Sequence, residues 1–237
     1  MRSIQLSHMS VAALLAMASV TSAHAQQAGD TIVAIGAARV SPDLSLGALT
    51  SVGPFASAFN PVTAGATASA GYAETLSFSV LRMFTNNVAV EISLGVPPTI
   101  NVDVYLPSSS LSLSRAAKAD VLTPAAVAKY LFLNPTDNFR PYAGLGLTYA
   151  SFRNVRADTS NATLNLLAGT SSALSSSWAP VYNLGFIYNF TDRLSVNASV
   201  SYIPFKTDVT FVGSGTTTTG SMDVNPTDYV VRIGYKF

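Results

Sequence analysis

Hydrophobic and polar positions alternate with a period of two along most of the chain, and the last nine residues show it most plainly. In Tyr229-Val230-Val231-Arg232-Ile233-Gly234-Tyr235-Lys236-Phe237, one register (Tyr229, Val231, Ile233, Tyr235, Phe237) is wholly apolar, while Arg232, Gly234 and Lys236 share the other. That period belongs to a strand, whose successive side chains point to opposite faces. No later segment follows to cover the apolar face, so it expects an apolar solvent.

The same alternation predicts further strands at residues 30–40, 76–84, 88–96, 121–132, 141–152, 178–190 and 194–202, with the terminal strand at 229–237. Pro124 marks the outer end of the fourth, because proline cannot donate to a ladder. Short turns at Thr85-Asn86-Asn87, at residues 134–138 and at Thr191-Asp192-Arg193 alternate with long connections at 41–70, 97–120, 154–177 and 206–220. Gly, Pro, Ser and Thr mark these connections as loops, the first with room for short strand extensions.

Composition decides which solvent the apolar faces meet. Hydrophobic residues make up 49% of the chain and charged ones 11%, against roughly a quarter charged in ordinary soluble domains. No stretch approaches the ~20 consecutive apolar residues of a spanning helix, and the charge-poor stretches at 44–73 and 159–191 are broken by Pro, Gly, Ser, Thr and Asn. A membrane protein built of strands must close them, since closure alone satisfies every backbone group in hydrocarbon. The expected fold is therefore all-β, an eight-stranded antiparallel transmembrane β-barrel with short periplasmic turns and long extracellular loops. Residues 1–25 read as a cleaved signal peptide, with Arg2, the apolar run VAALLAMASV and an Ala23-His24-Ala25 cleavage site. Residues 26–237 then form a single barrel domain, secreted through the periplasm into the bacterial outer membrane.

Chemistry is limited by what the barrel domain lacks. Both histidines, His8 and His24, fall in the signal, and the chain has no cysteine. Ser-His and Cys-His catalysis and His or Cys metal sites are thereby excluded; we expect no catalytic residue, no cofactor, no metal and no enzymatic activity. With Arg2 removed the basic and acidic residues balance, which argues against nucleic acid as a partner. Gly144-Leu145-Gly146 is followed by no helix and reads as small lumen-facing residues rather than a nucleotide loop. The sequons Asn161-Ala162-Thr163 and Asn197-Ala198-Ser199 read as coincidental.

Aromatic positions support two membrane girdles. Phe84, Tyr130, Phe132, Tyr188, Phe190, Tyr235 and Phe237 fall beside the short turns or the terminus, and Tyr149, Phe152, Trp178, Tyr202 and Tyr229 at the opposite strand ends. Arg39 and Arg82 stand in the outward register, where an arginine costs ~2–4 kcal/mol at the midplane and ~0–1 near an interface, so both are expected to snorkel to headgroups. The inward register is mostly Gly, Ala, Ser, Asn and Val. Glu91, Lys129, Arg232 and Lys236 are its charged exceptions and the candidates for a lumen constriction, Glu91 and Lys129 being placed to pair across neighbouring strands. They either brace the barrel or select what passes. Eight strands leave no wide aqueous pore, so the expected function is a narrow passage for small, mostly apolar solutes, flanked by apolar loop residues such as Phe55, Phe59, Pro97, Pro98 and Leu106. The other reading is a non-transporting structural or binding barrel whose extracellular loops contact partners.

Six segments in this order resemble the OmpW family of outer-membrane proteins: Gly36-Ala37-Ala38-Arg39-Val40-Ser41-Pro42, Met83-Phe84-Thr85-Asn86-Asn87, Val88-Ala89-Val90-Glu91, Phe139-Arg140-Pro141-Tyr142-Ala143-Gly144-Leu145-Gly146, Asn197-Ala198-Ser199-Val200-Ser201-Tyr202 and Ile233-Gly234-Tyr235-Lys236-Phe237. The resemblance implies an eight-stranded barrel in outer-membrane lipid, with a narrow, rather hydrophobic interior proposed to pass small hydrophobic molecules. The chain departs from the family pattern at Thr31, where Trp is expected, at Ala34, where a basic residue is expected, and in loops richer in Ala and Ser. Those departures bear on loop function and lumen charge rather than on the fold. The terminal Phe237 resembles the signal by which the barrel assembly machinery recognises its clients.

Overall fold

A computed structural model describes residues 26–237, and the expected signal peptide at 1–25 lies outside the described residues. Each of the alternating segments forms a strand: β1 (Thr31–Ser41), β5 (Ala73–Met83), β6 (Val88–Gly95), β9 (Ala125–Leu131), β10 (Phe139–Ala157), β12 (Ser177–Asn189), β13 (Leu194–Tyr202) and β16 (Thr227–Lys236). They pair antiparallel in the ring order β12-β13-β16-β1-β5-β6-β9-β10, and β10 pairs with β12 to close it. The last strand meets the first from Ile32↔Lys236 to Ser41↔Thr227. Closure leaves the ring without an edge, and the outward register meets solvent with Ile92, Leu184 and Ile233 each about two-thirds exposed.

The four long connections are not simple loops. They contain β2 (Leu44–Leu46), β3 (Thr50–Val52), β4 (Thr67–Ala70), β7 (Thr99–Leu106), β8 (Leu111–Leu122), β11 (Ser171–Leu174), β14 (Phe205–Gly213) and β15 (Thr216–Val224), with two short helices, α1 (Ala56–Thr63) and α2 (Ala162–Ala168). One sheet rises above the barrel as β11-β14-β15-β2, with β3 also on β15, and a second as β4-β7-β8 continuing from the far end of β10. The loop expectation for 97–120 and 206–220 is thus corrected to two hairpins, β7–β8 and β14–β15. Polar residues and glycines hid an alternation that is present: Thr207, Val209 and Gly213 are buried while Lys206 and Asp208 are exposed. Threonine, being β-branched, sits well in such strands.

Prolines mark where barrel strands pass into these extensions. Pro42 separates β1 from β2, Pro97-Pro98 β6 from β7, Pro124 β8 from β9, Pro204 β13 from β14 and Pro226 β15 from β16. A proline lacks the N–H that a ladder needs, so pairing tends to change partner there. The expected strand at 121–132 is accordingly two strands hinged at Pro124. In the third connection Asn161 caps α2, its Oδ1 accepting from the backbone N–H of Thr163 (3.0 Å) and Leu164 (3.2 Å). The first sequon is therefore a helix start.

Candidate functional site

The inward register fills the lumen in layers. At the short-turn rim Arg140 is fully buried and donates to three carbonyls, from Nη1 to Gln26 (2.9 Å), from Nη2 to Asn86 (2.7 Å) and from Nε to Phe132 (3.4 Å). Gln26 Nε2 donates in turn to Asn189 Oδ1 at 2.7 Å. Above them Ile32, Leu81, Met83, Ala89, Leu131, Tyr142 and Ile187 form an apolar seal, none more than 5% exposed. The short-turn end of the lumen is closed.

An ionic layer lies on that seal. Glu91 takes Lys129 Nζ on Oε2 at 2.8 Å and Arg232 Nη1 on Oε1 at 3.1 Å, with all three side chains buried. Lys129 Nζ also donates to Tyr142 Oη (3.2 Å), Tyr142 donates to Asn197 Oδ1 (2.8 Å), and Asn197 Nδ2 returns to Glu91 at 3.5 Å. Register explains how Arg232 on β16 reaches Glu91 on β6. Gly36 on β1 stands opposite both Arg232 and Ser77 on β5, and having no side chain it lets the guanidinium lie across β1. Arg232 then donates from Nε (3.0 Å) and Nη2 (2.8 Å) to Ser77 Oγ. A Cβ at Gly36 would stand 2.6 Å from the Arg232 Cα and run into the Val231 carbonyl oxygen. Gly185 does the same for Tyr142, its register partner, since a Cβ there would come within 2.6 Å of the phenol oxygen.

Of the expected constriction residues the structure gathers Glu91, Lys129 and Arg232. Lys236 lies apart, 3.4 Å from Asp30 at the short-turn rim. Ser77, Tyr142 and Asn197 belong to the same polar layer, and Arg140 to the separate polar cluster beneath the seal; none of the four stands out in the sequence. Their signal was there in part, as polar residues of inward registers, but a phenol and a hydroxyl gain meaning only once register sets them beside a charge.

Above the ionic layer the lumen opens into a cavity of about 140 Å³. Its walls are largely apolar, with Val40, Ile100, Val121, Phe152, Ile203 and Val230; Glu91 and Arg232 of the ionic layer form its floor, and Asn183, Ser201 and Asp228 are among its other polar members. Phe152 corrects the expectation of an outer-girdle position: its even register on β10 matches buried Tyr142 and Thr148, and its ring packs 6.2 Å from that of Phe205. A second cavity of about 100 Å³ lies between the upper sheets and shares Val102, Ala119, Leu174 and Met222 with the first.

The wall beside the lower cavity is interrupted. β6 and β9 pair from Val88↔Tyr130 to Ser93↔Ala125, and pairing resumes only where Val121 N–H donates to the Pro98 carbonyl at 3.1 Å and Thr99 meets Asp120. Between these points lie Pro97, Pro98 and Pro124, which have no N–H to give. Leu94 and Val96, members of the lipid-facing register and nearly half exposed, line the cavity here.

The remaining outward positions suit a membrane. Aromatic pairs at the short-turn rim are Tyr130–Phe132 (5.2 Å), Tyr188–Phe190 (5.1 Å), Tyr235–Phe237 (4.9 Å) and Phe139–Phe186 (5.2 Å), the last not anticipated. Phe84 is exposed beside them. Tyr149 and Trp178 pair at 5.1 Å at the other end, near exposed Tyr202 and Tyr229. Both outward arginines have partners: Arg39 binds Glu74 at 2.6 Å and stacks 4.4 Å over Tyr72, and Arg82 donates to Thr31 Oγ1 at 2.6 Å.

Comparisons with known proteins agree with this architecture. Outer membrane protein W of Vibrio cholerae is 29% identical over 164 residues, covering 68% of this chain and 73% of the relative. Outer membrane protein W of Escherichia coli is 26% identical over 218 residues, covering 91% and 92%. The crystal structure of the outer membrane protein OprG from Pseudomonas aeruginosa superposes with a TM-score of 0.78 at 26% identity, over 90% of this chain and 98% of that one. The long-loop rim is thus extracellular, the short-turn rim periplasmic and the barrel an integral protein of the bacterial outer membrane. With the OmpW family model matching residues 27–237, the chain belongs to the OmpW family.

Proposed function

We propose that the barrel passes small, mostly apolar solutes, taking them in between the extracellular sheets and releasing them sideways into the membrane. One observation carries this reading: the largely apolar lower cavity reaches the lipid-facing residues Leu94 and Val96 at the gap in the β6–β9 ladder. The sealed periplasmic end leaves that gap as the exit, and from the hydrocarbon an apolar solute continues inward unaided. The upper cavity, walled by Leu46, Leu106, Leu164 and Leu167, supplies an apolar antechamber. The proposal includes no enzymatic step, since residues 26–237 hold neither histidine nor cysteine.

Uptake of naphthalene by a Gram-negative host lacking its own barrel of this family tests the reading. Cells carrying the chain should accumulate it faster than cells without. Ser93→Trp, which puts an indole into the cavity beside the gap, should return uptake to the level of the empty host. Ile92→Trp, one residue away but facing lipid, should not. Equal uptake with and without the chain would defeat the passage and favour a structural or binding barrel whose extracellular loops contact partners.

A further inference from the structure

Two polar atoms in the lower cavity are left over from the hydrogen bonding of the lumen. Asp228 Oδ1 and Asn183 Oδ1 are both buried, and neither has a partner among the described residues. They are neighbours by register. β13 meets β12 at Asn183↔Ser201 and β16 at Ser201↔Asp228, so three inward-facing polar side chains form a row across three strands. With strands about 4.8 Å apart, the ends of the row stand about 10 Å from each other, backbone to backbone.

The row offers acceptors. Asn183 Nδ2 donates to the Val200 carbonyl (3.3 Å) and to Ser201 Oγ (2.9 Å), which fixes the amide with its oxygen as the free end. Asp228 adds a carboxylate. A buried acceptor without a donor is unfavourable, and a charged one more so. An incoming N–H-bearing cation would satisfy both residues by charge-assisted hydrogen bonds. An anion would instead set its own acceptors against those of Asp228 and Asn183. Arg232 and Glu91 line the floor of the same cavity, Arg232 four residues or about 13 Å deeper along the strand, and Arg232 already gives Nε, Nη1 and Nη2 to Ser77 and Glu91. The surrounding wall is Val40, Ile203, Phe205, Met222, Val224 and Val230.

We infer that Asn183, Ser201 and Asp228 form a recognition row for the cationic, N–H-bearing head of a small amphiphile whose tail lies against that wall. The inference rests on the lumen being a passage and narrows its solutes from apolar molecules to amphiphilic cations.

The test uses the full barrel in phosphatidylcholine nanodiscs, titrated with hexylguanidinium, hexyltrimethylammonium or hexanesulfonate, and read by the methyl chemical shifts of Val40, Ile203 and Val230. Hexylguanidinium should give saturable shifts. Hexyltrimethylammonium has the same charge and tail but no N–H, and should bind about tenfold or more weakly, the span of one or two charged hydrogen bonds. Hexanesulfonate should not saturate. Asp228→Asn, of unchanged shape, should weaken hexylguanidinium by about tenfold or more, and Asn183→Leu should weaken it too, with folding judged from the same spectra. Equal affinity for the two cations, or full affinity in both variants, overturns the row. Binding here is read without transport. A barrel that discriminates the heads yet fails to admit naphthalene keeps the row and loses the passage, and the reverse result keeps the passage and loses the row.

Discussion

Gly36 shows how much of the lumen depends on a residue with no side chain. By standing opposite both Arg232 and Ser77 it lets a β16 guanidinium cross β1 and reach the carboxylate of Glu91 on β6. One carboxylate then serves two buried cations. Breaking a buried ion pair from one side typically costs about 3–5 kcal/mol, whereas replacing the whole cluster by apolar groups of like volume is often neutral. Glu91→Gln should therefore lower stability by about that amount in urea-induced unfolding from lipid vesicles. The triple change Glu91→Leu, Lys129→Met and Arg232→Met should cost less than the single one. A triple variant weaker than Glu91→Gln would mean that the layer holds the strands together rather than filling their interior. The three charges were legible as inward-register exceptions, and Glu91 with Lys129 as a cross-strand pair. Asp228 is not legible in this way: the period-two run shows from Tyr229, the first aromatic of the apolar register, and the strand begins two residues earlier at Thr227.

At the scale of elements, barrel strands were legible because one face of each meets lipid and the other the lumen, which forces strict alternation. Their extensions meet water and one another, so the contrast between registers falls and turn-forming composition dominates the reading. The hairpin β7–β8 thus has the sequence of a loop, though Val104, Leu106 and Leu113 pack with Leu164 between the sheets. Where β8 joins β10 the ladder slips between Arg153 and Arg156, with Asn154 at a positive φ of 50°. Asp120 spans this irregularity, its carboxylate accepting from Thr99 Oγ1 and Asn154 Nδ2, each at 2.6 Å. It lies beyond the outer aromatic pair, Tyr149–Trp178. These hydrogen bonds, that of Asn154 first, hold its carboxyl below the ordinary carboxylate range. Since the folded value is the lower one, the contribution is complete above the unfolded value near ~4 and is lost as pH falls through the folded value. The protection of amides around Asn154, taken against their intrinsic exchange rates, should therefore fall on acidification below about pH 4, and Asp120→Asn should remove most of that dependence. An unchanged profile in the variant would show that the acid response comes from another group.

For the whole molecule, sealing the periplasmic end and leaving a side gap follow from one distribution of residues along the strands. Apolar and ionic side chains fill the half next to the short turns, where Arg140, Leu131 and Tyr142 are almost wholly buried, while prolines collect in the other half, where the wall can part. The filled half is also where the ring closes. Phe237 donates its N–H to the Thr31 carbonyl at 2.9 Å and packs its ring 4.9 Å from Tyr235, yet three-quarters of its surface is exposed. Removing it forfeits one backbone hydrogen bond, worth about 1 kcal/mol net, and an exposed ring contact of about 0.5–1.5 kcal/mol. Such a loss is small for a barrel closed by the full β1–β16 ladder. Deleting Phe237 should leave the urea midpoint of purified, folded barrels nearly unchanged. The amount of folded barrel recovered from the outer membrane of expressing cells should fall several-fold, the outcome expected if the terminal aromatic is read during assembly. Normal membrane levels of the truncated chain would confine Phe237 to the periplasmic girdle. A matching fall in both measurements would assign its role to closure of the ring.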